Sequence, residues 1–153
     1  MNNSQPKLEK LSIIIHSGYY DKIHYALVMA AAAASIDRPV TLFFTMGACK
    51  SLEPSDSSGT PAWRKLPLSE EQKSMTSDSG GNRDDFYAAH NIATFEDLLE
   101  SCIQLGVTFM VCEMGLKAEG LNGLELRNDI PFQEGGAITF LNDAPKDGKV
   151  IFI

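Results

Sequence analysis

A three-layer α/β/α sandwich around a mostly parallel, five-stranded sheet is the fold class this chain predicts. Three observations point there: short continuous apolar runs, helical stripes placed between them, and a single-domain length of 153 residues. Continuous runs of β-branched residues suit strands buried on both faces. Their alternation with helices implies a parallel sheet covered on both sides. With 44% hydrophobic and 22% charged residues, the chain can bury a core without disulfide or metal staples.

Residues 11–16 read Leu-Ser-Ile-Ile-Ile-His and form the first predicted strand. Gly18 to Asp21 makes a turn, with Asp21 as the expected helix cap. A helix follows over about 22–35. Ile23, Ala26, Leu27, Ala30, Ala31 and Ala34 form its core stripe. The other side, with Tyr25, Val28, Met29, Ala32 and Ala33, is barely polar, which predicts a second partner and hence a subunit interface. Residues 39–45 form the second strand, and 46–50 the loop at its carboxyl end. Residues 51–91 are rich in serine, with Pro54, Pro61 and Pro67, and predict a polar excursion outside the core, with a short helical piece near 68–75.

Thr94 predicts a helix cap, with Asp97 at the third position of a helix running to about Leu105. Phe95, Leu98, Leu99, Cys102 and Ile103 share one face, and Gly106 ends the helix. The third strand spans 107–112. A short helix over 114–119 closes at Gly120. Residues 124–126 suggest a fourth strand, 135–142 a helix, and 150–153 a last strand. One domain covers 1–153.

The formal net charge of −7 argues against nucleic-acid binding and against an anionic membrane surface. The first ten residues lack the apolar run of a secretory signal, and Ala26 to Ile36 is too short to span a bilayer, so a cytoplasmic protein is expected. The three cysteines, 49, 102 and 112, show no CxxC spacing, so no zinc or thioredoxin-type motif is indicated. Residues 47–50 lack phosphate-loop spacing, and no GxGxxG follows the first strand, which disfavours a nucleotide enzyme.

Ligands of open parallel sheets bind beyond the carboxyl ends of the strands. His16, Cys49 and Cys112 fall at or just after such ends. They share one rim if the first strand pairs with both the second and the third. Cys112 precedes a helix start, whose free N–H groups and partial positive charge favour a thiolate. Glu113 would oppose that effect if it points at the sulfur, and Lys117 would support it. Cys112 can equally be a small buried hydrophobe, and the same holds for Cys49 as an idle loop thiol and His16 as a hydrogen-bonded strand end. Cys102, on the apolar face of a helix, reads as inert core.

The segment from Val107 to Leu121, with Cys112 ending an apolar strand and Gly120 eight residues later, resembles the active-site strand and helix of the DsrE/DsrF-like (DsrE/TusD) sulfur-relay family. The opening Ile-Ile-Ile-His-Ser-Gly-Tyr-Tyr-Asp at 13–21 with its Ala-rich helix is similar to that family's first βα unit. Phe-Phe-Thr-Met-Gly at 43–47 and the closing helix and strand fit as well. The resemblance implies a DsrE/YchN-like, flavodoxin-like sandwich and a homo-oligomer, trimer or hexamer, without metal or organic cofactor. It implies a sulfurtransferase-like carrier that takes sulfane sulfur as a persulfide on Cys112 from a donor protein or a small sulfane-sulfur compound and passes it to an acceptor thiol. The excursion is longer than such relay proteins suggest, and Cys49 has no place in the shared pattern. A second reading, from another class, is a non-catalytic oligomeric module of the same fold holding a small anionic ligand at the rim.

Overall fold

The structure is a computed structural model that describes residues 8–73 and 79–153. Five strands form one sheet: β1 (Leu11–Ile15), β2 (Val40–Phe44), β3 (Thr108–Cys112), β4 (Phe132–Gly135) and β5 (Lys149–Phe152). Their order is β4-β3-β2-β1-β5, and all four pairings are parallel. The first three strands are apolar on both sides and nearly wholly buried, as their composition requires.

Two helices cover one face of the sheet. In α1 (Tyr20–Ser35), Ile23, Ala26, Leu27 and Ala30 are buried; in α4 (Phe95–Gln104), Phe95, Leu98, Leu99 and Cys102 are. They share a core with Ile13, Ile15, Leu42, Phe44, Phe109 and Val111. The start of α4 carries the expected capping box: Thr94 Oγ1 accepts from the Asp97 N–H, and the Asp97 carboxylate accepts from the Thr94 N–H. Gly106, at φ +77°, ends that helix region in the left-handed conformation. On the opposite face a much smaller core joins Phe43, Met110, Cys112 and Phe140 under α6 (Ala137–Asp143). No helix among the described residues is long and apolar enough to cross a membrane.

Several expectations need correction. α1 packs against α4, and His24 on α1 lies against Tyr87; of the side expected at a subunit interface, Tyr25 and Ala32 are exposed, Val28 and Met29 half-buried and Ala33 buried. Asp21 does not cap α1, whose N-cap is Tyr19 without a side-chain bond. The Asp21 carboxylate instead accepts from the N–H and Oγ of Ser69, at 2.8 and 2.7 Å. Residues 124–126 are not a strand; the fourth strand is Phe132–Gly135, an edge with one large apolar residue. The excursion is also less detached than its composition suggests. It holds two 3-10 helices, Met46–Leu52 running into it and Ala62–Lys65, followed by α2 (Glu70–Lys73) and α3 (Gly80–Ala89). Trp63, Leu66 and Leu68 from it enter the main core. The predicted helical piece near 68–75 is α2 in part; its end at Ser74 and Met75 lies outside the described residues.

Candidate functional site at the strand ends

Cys112 is the last residue of β3 and the N-cap of α5 (Glu113–Ala118). Its backbone is still extended there, and its side chain makes no capping bond to the helix. Strand alternation puts Cys112 and Met110 on the α6 side, with Phe109 and Val111 on the α1 side. The thiol therefore sits among Phe43, Met110 and Phe140, and only 2% of the residue is exposed. Phe140 of α6 roofs it, stacked on Phe43 at 4.9 Å between ring centroids. Glu113 and Lys117 pair with each other at 2.9 Å on the exposed side of α5, so neither is left to act on the sulfur.

Cys49 lies in the 3-10 helix Met46–Leu52, fully buried in the main core. That helix packs on α5 and on β3. Backbones meet where the segments touch: a Cβ on Gly115 would lie 2.5 Å from the Met46 nitrogen. Lys50 bridges to Glu119 at 3.2 Å and ties the same segment to the end of α5. Burial pushes the Cys49 thiol up to about 12, with smaller electrostatic contributions from Cys112 and Glu119. The structure thus lays the segment that carries Cys49 against the helix that follows Cys112, while the two thiols lie in separate cores.

His16 is not part of it. β1 pairs with β2 and β5, and β3 lies on the far side of β2. The condition for one shared rim fails, because His16 and Cys112 are two strands apart, roughly 10 Å across the sheet. The His16 ring instead packs on Phe152 at 5.4 Å, and the His16 backbone N–H donates to the Ile153 carbonyl. The three strand-end loops still touch in sequence. Gly18 meets Gly47, where a Cβ on Gly47 would lie 2.9 Å from the Gly18 nitrogen, and Met46 meets Gly115. Met46 sits between them at φ +47°, a conformation uncommon for a side-chain-bearing residue.

The strand order reverses between β1 and β5, the place where open α/β sheets usually hold ligands. A groove of about 690 Å³ lies there, lined by Ser17, Asp21, Lys22, Glu71 and Phe152 among others. Two carboxylates against one lysine make it a poor seat for an anion. Among the described residues, no group of three or more His, Cys, Asp or Glu side chains is placed to hold a metal ion.

Cys102 behaves as its position on α4 suggests. It is fully buried, donates weakly to the Leu27 carbonyl at 3.8 Å, and burial pushes its thiol up to about 12. Two structural clusters escape a reading of the sequence. Trp63 Nε1 donates to Glu96 at 2.7 Å, and Arg127 grips both Glu96 oxygens at 2.9 Å. Tyr20 donates to the buried Asp84 at 2.5 Å, and the same carboxylate oxygen accepts from the Phe95 N–H. Only the acidic and aromatic character of these residues was visible; their pairing spans distant segments.

Comparison with known proteins agrees with this architecture. The chain is 26% identical over 157 residues to YrkE, an uncharacterized protein of Bacillus subtilis (strain 168), covering 95% of this chain and 97% of that one. The crystal structure of the ychN protein from E. coli superposes with a TM-score of 0.59 at 13% identity, over 95% of this chain and all of the other, a likeness of fold. The model of the DsrE/DsrF/DrsH-like family matches residues 7–152, and the chain belongs to that family.

Proposed function

We propose that the protein is a cytoplasmic sulfur carrier that holds a sulfane sulfur as a persulfide on Cys112 and hands it to a partner thiol. One observation carries the reading: in a chain of this family, Cys112 stands at the carboxyl end of β3 where α5 begins. The Cys112 thiolate attacks the outer sulfur of a donor such as thiosulfate or a persulfide. A new S–S bond forms, and the donor leaves as sulfite or as a thiolate. An acceptor thiolate then attacks the outer sulfur, and the Cys112 thiolate departs. Donor and acceptor are proteins or small sulfane-sulfur compounds.

The burial of Cys112 adds a requirement. A reactive thiol needs access, and the roof over this one is a seven-residue helix preceded by Gly135 and Gly136. Displacement of α6 opens the sulfur without disturbing the larger core on the other face. The same side of the sheet exposes Val150 and Phe152, whose register with Ser12 and Ile14 places them on the α6 face. We assign the subunit interface of a trimer or hexamer to this side. The anion-binding module is the weaker reading, because the groove at the switch point carries an excess of carboxylates.

The test is intact mass after incubation with thiosulfate, polysulfide or a persulfide donor. The expected result is a gain of sulfur that reductant removes and that Cys112→Ser does not show. No gain from any donor, or full gain by Cys112→Ser, contradicts the reading.

A further inference from the structure

We propose that Cys49 is the resolving thiol of Cys112: it displaces the carried sulfur as hydrosulfide and closes an internal Cys49–Cys112 disulfide. The inference rests on the persulfide reading and extends it to a second residue.

Geometry carries it. Met46 and Gly115 are in backbone contact; Cys49 lies three residues after the first and Cys112 three residues before the second. The Lys50–Glu119 bridge holds the two segments together just beyond Cys49. Both thiols are free and buried, Cys49 in the main core and Cys112 in the smaller one.

The segment that carries Cys49 is built to shift. It is a 3-10 helix of seven residues, longer than the three or four such helices usually sustain. It starts from Met46 in the left-handed region, where a side chain stores strain. In this inference the segment repacks past the end of β3, so that Cys49 reaches Cys112 from the other core.

The step balances. Cys49 gives up its proton, and its sulfur attacks the inner sulfur of the Cys112 persulfide. The Cys49–Cys112 bond forms, the bond to the outer sulfur breaks, and hydrosulfide leaves with the electron pair and takes up the proton. Two cysteine sulfurs are oxidised and one sulfane sulfur is reduced to sulfide. A dithiol reductant returns the pair to thiols. Burial raises the Cys49 pKa and so lowers its thiolate fraction, which slows the step near neutrality. The persulfide therefore outlasts a prompt handover, and resolution removes only sulfur that finds no acceptor.

The full chain is loaded with a sulfane-sulfur donor, freed of donor, and held without reductant. Intact mass, dissolved sulfide and peptide mapping are followed with time. The wild type is expected to lose its added sulfur, release one equivalent of sulfide and yield a peptide pair linked through Cys49 and Cys112. The release should quicken about tenfold per pH unit in the alkaline range below the Cys49 pKa. Cys49→Ser and Cys49→Ala should load fully, keep the sulfur and release no sulfide. Loading at Cys112 with equal sulfur retention in wild type and both variants overturns this inference and leaves the persulfide reading intact. So does sulfur that ends on Cys49. Failure to load Cys112 sinks both. A separate arm treats the unloaded protein with glutathione disulfide: an internal Cys49–Cys112 disulfide is expected, and its failure to form overturns the pairing on its own.

Discussion

Cys112 and Cys102 are both buried thiols, yet their neighbours separate them. Cys102 is enclosed between α4 and α1 with a backbone carbonyl as its weak acceptor, while Cys112 lies under a single short helix. Cys102→Ser places a hydroxyl in the core and should cost about 1–3 kcal/mol in urea unfolding while sulfur loading stays unchanged. A Cys102→Ser chain that folds with wild-type stability, or one that folds but fails to load, contradicts that separation. A third buried group predicts a pH dependence. His24 lies against Tyr87 at 4.7 Å with Nε2 2.9 Å from the Ala93 carbonyl, and burial holds its pKa below the ordinary 6.5. The unfolded chain therefore binds a proton near 6.5 before the folded one does. Stability from this group is whole above that value and falls as the pH drops through it toward the lowered folded value. Urea midpoints measured across that window should decline in the wild type and decline less in His24→Gln. Equal slopes would rule out His24 as the source.

At the scale of elements, the excursion is the part whose composition misleads most. Trp63 stacks on Phe95 at 4.7 Å and reaches Glu96, so a loop rich in serine and proline is pinned to the start of α4. Trp63→Ala should lower stability by about 3–5 kcal/mol. It should also make residues 51–73 the first site of limited proteolysis, and a variant as resistant as the wild type would show that the anchor is elsewhere. Gly115→Ala should be costly too, by about 1–3 kcal/mol, because its methyl meets the Met46 backbone and not a yielding side chain. What could be read beforehand follows from local physics. Three continuous apolar runs gave their strands away, and Thr94, Asp97 and Gly106 marked both ends of α4. What could not be read depends on partners far along the chain. Phe132–Gly135 hides because an edge strand needs little apolar surface. Asp21 has the right type for a cap, but Ser69 claims it. The placement of Cys112 and Cys49 was legible from strand ends, whereas the separation of His16 was not, since strand order is set by where β5 inserts.

Across the whole molecule the two faces of the sheet are unequal. One is closed by α1 and α4, while among the described residues the smaller core on the other lies under α6, Phe152 is 65% exposed, and Ile138 and Leu141 point outward on α6. Apolar surface of this kind favours association. Phe152→Lys should reduce the mass measured by light scattering at micromolar concentration to that of a monomer with its fold retained. Val28→Lys, at a half-buried position on the closed face, should cost stability instead. A wild-type monomer would remove the interface from the account. The same thin face holds the thiol on which the function rests. Its central claim is tested most directly by locating the sulfur: the protein is loaded with a sulfane-sulfur donor, its sulfurs are alkylated in the folded state or immediately on unfolding, and the peptides are mapped by mass. The account predicts the added sulfur on the peptide containing Cys112, with Cys102 unmodified by sulfur. Added sulfur found only at Cys49 or Cys102, with Cys112 left as a plain thiol, would contradict it.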